Sequence, residues 1–251
     1  MKIAGIQHDI VWQDAEATHA LVAPMIAAAA AGGARLIVLT EMFATGFCID
    51  PEPIAQDEGG ASEQFLLQQA ALHDAYLIAS VAQRGADGQY RNNAIVAAPT
   101  GEVWRYAKIH PFTYTREHEN YTAGDQFLTV DIDGVRTSVF VCYDLRFADE
   151  FWAVAADTDL YVVVANWPES RSEHWKLLLR ARAIENQAYV VGVNRIGVAD
   201  RLTYTGDSAV IDPLGRTLAE ASRTATVISS VIDPETVTST RDGLPFLADR
   251  R

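Results

Sequence analysis

The segment that decides the fold covers residues 160–194 and reads LYVVVANWPESRSEHWKLLLRARAIENQAYVVGVN. It begins with an apolar run of strand length, Leu160–Ala165, and ends with a second one, Tyr189–Asn194. Between the two runs, Ser172–Ala188 is predicted to form a helix. Because strands that are apolar on both faces lie inside a sheet that helices cover, this segment predicts an α/β protein.

The same alternation continues outside this segment. Ile3–His8 and Leu36–Leu39 are strand-like runs, and an alanine-rich helix, Ala17–Ala31, is predicted between them. Hairpins are predicted where turn residues separate strand-like runs, at 99–101, 133–134 and 213–215. Helices that alternate with strands, together with several hairpins, indicate mixed sheets with helices on the outside.

The chain shows no sign of division into domains. No linker, repeat of fixed period or low-complexity segment interrupts residues 1–251, so we expect a single domain. The tail from about Pro234 is polar, and we expect it to be irregular and to pack on the domain or on a partner subunit.

Charge and composition argue against several classes of protein. The chain has 33 acidic and 20 basic side chains and a net charge of −13, which is unsuited to binding nucleic acid. No apolar run reaches the roughly 18–20 residues of a membrane span, and we expect no signal peptide. With two cysteines, Cys48 and Cys142, a reducing cytoplasm is the expected setting. Because zinc-type spacings and phosphate-binding glycine motifs are absent, we expect no metal and no nucleotide cofactor.

Three reactive side chains stand where apolar strands end, which is where open α/β sheets place their sites. Glu41 follows the Leu36–Leu39 run, Lys108 ends a hairpin strand, and Cys142 lies where a strand turns into a helix. Each has a structural alternative: Glu41 could cap a loop, Lys108 could be a solvated surface residue, and Cys142 could be a small core residue. A cysteine at such a turn can also expose its sulfur beside backbone N–H groups that bind an oxyanion.

The motifs around these residues are more specific than the single side chains. Glu41 stands in LTEMFATGF, Lys108 in YAKIHPF and Cys142 in VCYDLRF. In this order they resemble the Glu-Lys-Cys triad of the nitrilase superfamily of carbon–nitrogen hydrolases. The resemblance covers nearly the whole chain, and Ala165–Gly197 is especially similar to the ω-amidase branch. It implies a four-layer α-β-β-α sandwich that assembles into homodimers or larger homo-oligomers.

The resemblance also implies a second glutamate that precedes a loop with tyrosine and glycine. The segment REHENYTAGD offers Glu117 and Glu119. The distance to Gly124 favours Glu117, and Glu119 stays open as the alternative. Where the family commonly has HLF, this chain has HPF, with Pro111 in the middle. This difference leaves Lys108 in place but can shift the loop that presents substrate contacts.

A mechanism follows for an amide substrate. Glu41 takes the proton of Cys142 as the sulfur attacks the amide carbon, because a free thiol is mostly protonated at neutral pH. Lys108 and the backbone N–H of Tyr143 stabilise the oxyanion. Glu41 then protonates the departing ammonia, and water hydrolyses the thioester. Glu117 is expected to hold Lys108 or the substrate amide in place.

Arg146 has two interpretations. It could pair with a neighbouring carboxylate, Asp144, Asp149 or Glu150. Alternatively, its guanidinium fork could bind a substrate carboxylate, as is plausible in the ω-amidase branch. The second interpretation predicts a small dicarboxylate monoamide as substrate, such as α-ketoglutaramate or α-ketosuccinamate.

Aromatic residues complete the predicted pocket. Phe43 and Trp167 are adjacent to the motif segments, and we expect both to wall a narrow apolar pocket for a small amide. The main alternative keeps the triad but changes the substrate to a nitrile, an N-carbamoyl compound or deaminated glutathione. A further alternative is a non-catalytic binding protein of the same fold.

Overall fold

Two mixed β-sheets form the centre of the fold. A computed structural model describes residues 1–249 and contains, within that range, fourteen strands and five α-helices. The strands are β1 (Lys2–Gln7), β2 (Leu36–Val38), β3 (Gln56–Asp57), β4 (Tyr76–Arg84), β5 (Tyr90–Ala97), β6 (Val103–Ala107), β7 (Thr129–Ile132), β8 (Val135–Val141), β9 (Leu160–Ala165), β10 (Tyr189–Asn194), β11 (Ile196–Ala199), β12 (Leu202–Ile211), β13 (Thr217–Ser222) and β14 (Thr226–Val231). The helices are α1 (Ala15–Ala31), α2 (Ala61–His73), α3 (Ala148–Ala153), α4 (Ser172–Asn186) and α5 (Pro234–Gly243). None of these helices is both long enough and apolar enough to cross a bilayer.

Each sheet combines parallel strands with hairpins. The first sheet has the order β14-β1-β2-β4-β5-β6, with β3 also paired to β4. The second has the order β11-β12-β10-β9-β8-β7, with β13 paired to β12. β1, β2 and β4 run parallel, as do β8, β9 and β10. The predicted hairpins are confirmed as the antiparallel pairs β5–β6, β7–β8 and β12–β13.

The sheets and helices stack in four layers. Leu77 of β4 packs in one core with α1 and α2, whereas the next residue, Ile78, belongs to the core that joins the two sheets. This alternation is the two-residue period of a strand that is buried on both faces. On the other side, Phe151 of α3 and Trp175 of α4 pack against the second sheet. The predicted α-β-β-α sandwich is therefore confirmed.

The tail differs from its prediction, because it forms α5 instead of an irregular segment. Asp233 caps this helix by accepting a hydrogen bond from the backbone N–H of Glu235 at 3.0 Å, and Pro234 occupies the first turn. Val237 is fully buried, and Arg241 donates hydrogen bonds to three carbonyl oxygens of the same chain. The polar composition of this segment did not indicate the capped helix α5, which packs on its own chain.

Candidate active site

Strand ends from both sheets meet around one cavity. In the first sheet, β2 leads to Glu41 and β6 ends directly before Lys108. In the second sheet, β8 ends directly before Cys142 and β9 directly before Asn166. All four residues line the same small cavity. The structure thus brings together the three residues that the sequence motifs selected.

Cys142 occupies a backbone conformation that few non-glycine residues adopt. Its φ is 47°, and it begins a short 3₁₀ helix, Cys142–Arg146, directly after β8. Such a conformation costs on the order of 1–3 kcal/mol and persists only where the surroundings hold it. The residue is partly exposed, and its sulfur lies beside the Glu41 carboxylate and the backbone N–H of Asn166. The turn therefore presents the sulfur to the cavity.

Asp144 is buried and ties this turn to the segment that carries the lysine. Its Oδ2 accepts from the backbone N–H of Val141 at 3.0 Å and from the Tyr106 hydroxyl at 2.8 Å. Its Oδ1 accepts from the backbone N–H of His110 at 2.9 Å. Burial raises the pKa of Asp144 to about 6, against the opposite effect of Lys108 and of these donors.

Asp144→Ala is expected to lower the free energy of unfolding by about 2–3 kcal/mol at pH 5, because it leaves buried donors without an acceptor. The pKa of Asp144 is higher in the folded protein than its ordinary value, so ionisation of this carboxyl group opposes folding. The contribution of Asp144 to the free energy of unfolding is therefore lost as the pH rises through about 6. The loss should therefore be smaller at pH 7.5. Urea unfolding at both pH values measures this difference. A loss that is the same at both would contradict the expectation, and Tyr106→Phe, which removes one donor only, serves as the milder control.

Both carboxylate oxygens of Glu41 are hydrogen-bonded. Oε1 accepts from Lys108 Nζ at 3.1 Å and from Asn92 Nδ2 at 2.9 Å. Oε2 accepts from the backbone N–H of Asn166 at 2.8 Å, and the Asn166 side chain donates to the Glu41 carbonyl oxygen at 2.6 Å. These partners come from other segments and not from the loop after Glu41. They hold the carboxylate beside the sulfur, where it can accept a proton.

Lys108 lies between two carboxylates. Besides Glu41, its Nζ contacts both oxygens of Glu117, at 3.1 and 2.9 Å, and all three side chains are almost completely buried. Burial alone would lower the pKa of Lys108, but Glu117 and Glu41 outweigh it and the pKa lies well above its usual value. The lysine therefore stays protonated and can stabilise negative charge. Glu119 instead pairs with Arg116 in solvent, so the structure places Glu117 at the cavity and not Glu119.

The electrostatics of Cys142 favour the neutral thiol. Burial and the Glu41 carboxylate raise the pKa of the thiol well above its ordinary value, and Lys108 opposes them. A thiol that is protonated at rest needs a base at the moment of attack, and Glu41 is the carboxylate beside it. The arrangement can therefore carry out nucleophilic attack with proton transfer to Glu41.

Three of the predicted substrate-binding residues line the cavity: Tyr143, Arg146 and Trp167. The Arg146 guanidinium stacks on the Trp167 ring at 4.7 Å and donates to His174 Nδ1 at 3.2 Å. The alternative in which Arg146 pairs with a neighbouring carboxylate is wrong, because within residues 1–249 it forms no such ion pair. Its charge is therefore not neutralised by a carboxylate in that part of the chain, although one of its amino groups is hydrogen-bonded to His174.

The prediction that Phe43 walls the substrate pocket is wrong. It is completely buried, and its ring stacks with His19 and Phe65 in the core between the first sheet and its helices. It does not belong to the cavity wall. Met42, with a φ of 38°, turns the backbone between Glu41 and Phe43, so the two side chains part.

Several residues of this site are not predicted from the sequence. Asn166 could have been found, because it follows β9 just as Cys142 follows β8. Asn92 lies inside β5, where no local signal marks it, although it donates to Glu41. The cavity wall also includes Phe47, which lies in a loop, and Arg171, which ends a short 3₁₀ helix; neither position carries a strand-end signal.

The chain is similar in sequence to known proteins. A family model described as carbon–nitrogen hydrolase matches residues 2–242. The chain is 36% identical to the omega-amidase YafV of Yersinia enterocolitica, and the match covers 99% of this chain and 96% of that protein. It is 34% identical to the 2-oxoglutaramate amidase of Bacillus subtilis (strain 168), with 87% and 85% covered.

Solved structures agree with the fold. XC1258 from Xanthomonas campestris, a CN-hydrolase superfamily protein, is 35% identical, with a TM-score of 0.94 over 100% of this chain and 97% of that one. Nit3 of Saccharomyces cerevisiae, a member of the nitrilase superfamily, has a TM-score of 0.90 over 100% and 96%. At 24% identity the second likeness bears on the fold alone.

Proposed function

The chain belongs to the carbon–nitrogen hydrolase family, and from this we propose that it is an ω-amidase, which hydrolyses the terminal amide of a small carboxylated substrate to the acid and ammonia. The observation that carries the proposal is a thiol, a carboxylate and an ammonium around one cavity that also holds a guanidinium, and no carboxylate of residues 1–249 pairs with that guanidinium. The first three groups suit acyl transfer, and the fourth suits an anionic substrate.

In the proposed first half-reaction, the Cys142 sulfur forms a bond to the amide carbon and passes its proton to Glu41. The carbonyl electron pair moves to the oxygen, where Lys108 and the backbone N–H of Tyr143 stabilise the charge. Glu41 then gives the proton to the amide nitrogen, the C–N bond breaks, and ammonia leaves. A thioester on Cys142 remains.

In the second half-reaction, water attacks the thioester carbon and Glu41 takes a proton from it. The C–S bond breaks, the acid is released, and the proton returns to the sulfur. Lys108 acts throughout as a fixed positive charge and not as an acid, because its pKa is raised well above its usual value. Glu117, which contacts Lys108 with both oxygens, holds that charge in place.

The relatives and the cavity support the substrate class. Two relatives similar to this chain are named omega-amidase and 2-oxoglutaramate amidase. Arg146 offers a charged donor for a carboxylate, and Trp167 offers a flat apolar wall. We therefore propose monoamides of small dicarboxylates, with α-ketoglutaramate and α-ketosuccinamate as the first candidates.

The proposal extends to the cellular compartment and the oligomeric state. We propose a cytoplasmic enzyme that works as a homodimer or a larger homo-oligomer. Exposed apolar residues on α4, Leu177 and Ile184, support a face for a second copy.

A substrate panel tests the function. Purified protein is given α-ketoglutaramate, α-ketosuccinamate, a nitrile, an N-carbamoyl amino acid and deaminated glutathione at equal concentrations, and the products are quantified. We expect kcat/KM for the two ω-amides to exceed the others by at least about 10-fold, which is the lower end of what a hydrogen bond to a charged group contributes. Intact-mass analysis of acid-quenched samples should show an acyl group on the protein, and peptide mapping should place it on Cys142. Turnover of another compound alone would overturn the proposed substrate class.

A further inference from the structure

Two guanidinium groups line the cavity, and neither is neutralised. Arg146 belongs to the turn that begins at Cys142, and Arg171 ends a short 3₁₀ helix, Glu169–Arg171, after β9. In the part of the chain that the structure describes, neither forms an ion pair with a carboxylate. Both are only partly exposed. Two arginines in one cavity that pair with no carboxylate of residues 1–249 point to an anionic ligand.

Aromatic rings hold both groups by their faces. The Arg146 guanidinium lies 4.7 Å from the centre of the Trp167 ring, and the Arg171 guanidinium lies 5.5 Å from the centre of the Phe112 ring. Both rings belong to the cavity wall. A guanidinium stacked on a ring keeps its edge N–H donors available, and those donors match the geometry of a carboxylate.

The loop that carries Arg171 is fixed to the same wall. Trp167 Nε1 donates a hydrogen bond to the Arg171 carbonyl oxygen at 2.8 Å, and the Trp167 backbone N–H donates to Asn194 Oδ1 at 2.7 Å. One tryptophan therefore supports both arginines, through its face for Arg146 and through its ring N–H for the Arg171 backbone. This arrangement restricts both cations before a ligand arrives.

The charges of the cavity are divided. Around Cys142, the two carboxylates of Glu41 and Glu117 contact the single cation Lys108, so this end carries a net charge of about −1. The two arginines supply +2 elsewhere on the wall. Burial lowers the pKa of Arg146, and the charge of Arg171 lowers it further, as expected for like charges that lack an anion between them.

We propose that Arg171 acts with Arg146 as a two-guanidinium clamp for the substrate carboxylate, an inference that rests on the proposed function. The clamp selects which end of the substrate reacts. A carboxylate is attracted to the arginines and repelled by Glu41 and Glu117, so the uncharged amide at the other end of the molecule reaches Cys142. The clamp thus accounts for cleavage of the amide remote from the carboxylate.

The test compares two isosteric substrates, glutaramate and glutaramide, which differ in that a neutral amide replaces the carboxylate. For Arg171→Ala and Arg146→Ala we expect kcat/KM for glutaramate to fall about 10- to 100-fold, mainly through KM, because charged hydrogen bonds are lost. For glutaramide we expect a change below about 3-fold. Arg171→Lys should restore part of the loss. Arg84→Ala removes an exposed cation that pairs with Asp57 and serves as the control with unchanged kinetics.

Two outcomes would overturn the clamp: an equal loss for both substrates in Arg171→Ala, which indicates a structural role, or no loss for either. Failure of the proposed function is recognised separately, by measuring glutarate binding to wild-type protein by calorimetry. If the wild type hydrolyses neither amide but binds glutarate, and Arg171→Ala weakens that binding at least about 10-fold, the anion site stands and the amidase proposal fails. Absence of both hydrolysis and glutarate binding would end both proposals.

Discussion

Cys142→Ala is expected to lower the rate of amide hydrolysis by at least about 10⁴-fold. Removing the nucleophile removes the covalent route completely, and only substrate binding and oxyanion stabilisation are left to act on water. The rate of ammonia release at saturating ω-amide measures this loss. The acyl group on the protein should also disappear from mass spectra of quenched samples.

Cys48→Ala is the matched control, because Cys48 is the other free, partly exposed cysteine of the chain. Its sulfur accepts a hydrogen bond from Gln13 Nε2 at 3.4 Å and it does not line the cavity. This variant should retain wild-type turnover and still form the acyl adduct. A Cys142→Ala protein with more than about a hundredth of wild-type activity would contradict the thioester mechanism.

Lys108→Met is expected to reduce stability and activity together. The substitution leaves Glu41 and Glu117 buried without the cation that bridges them, and breaking a buried pair in this way typically costs about 3–5 kcal/mol. It also removes a donor to the oxyanion, so kcat should fall by at least about 10²–10³-fold. Urea unfolding and turnover, measured on the same preparation, give the two effects.

A second variant separates the two losses. In Lys108→Met with Glu117→Gln, one of the two unpaired charges is gone, so part of the lost stability should return. Activity should not return, because the positive charge is still missing. A single variant as stable as wild type, or a double variant less stable than the single one, would show that the charge balance at this site is not what we describe.

The strand-end pattern marks Glu41, Lys108 and Cys142 as candidates, and the resemblance of their motifs to the nitrilase superfamily favours them over the structural alternatives. Cys142 and Lys108 each directly follow a strand, but β8 and β6 belong to different sheets, so the strand-end pattern alone does not show that the two side chains meet. Arg171 could not be found so, because its position at the cavity depends on how the loop after β9 folds back onto Trp167.

The predictions for Phe43 and for the tail from Pro234 were wrong because both positions depend on how the chain packs. Phe43 is two residues from Glu41, and this nearness in sequence suggested a shared pocket. The positive φ of Met42 turns the backbone, however, so that the ring of Phe43 lies in the core between the first sheet and its helices. The tail from Pro234 is polar overall, and a single apolar residue, Val237, anchors it. Composition averaged over a segment conceals one anchoring side chain, so the helix was not expected.

The division of the reactive groups between two sheets has a mechanical consequence. Glu41 and Lys108 are attached to one sheet, and Cys142 and Asn166 to the other. The sulfur-to-carboxylate separation therefore depends on the apolar side chains between the sheets, such as Ile78 and Val162, and on the hydrogen bonds that Asn166 makes to Glu41. A slip of about 1 Å of one sheet over the other would misalign the groups while every strand stayed intact. The rate of amide hydrolysis therefore depends on the relative position of the two sheets. It is more sensitive to that position than any measure of secondary structure is.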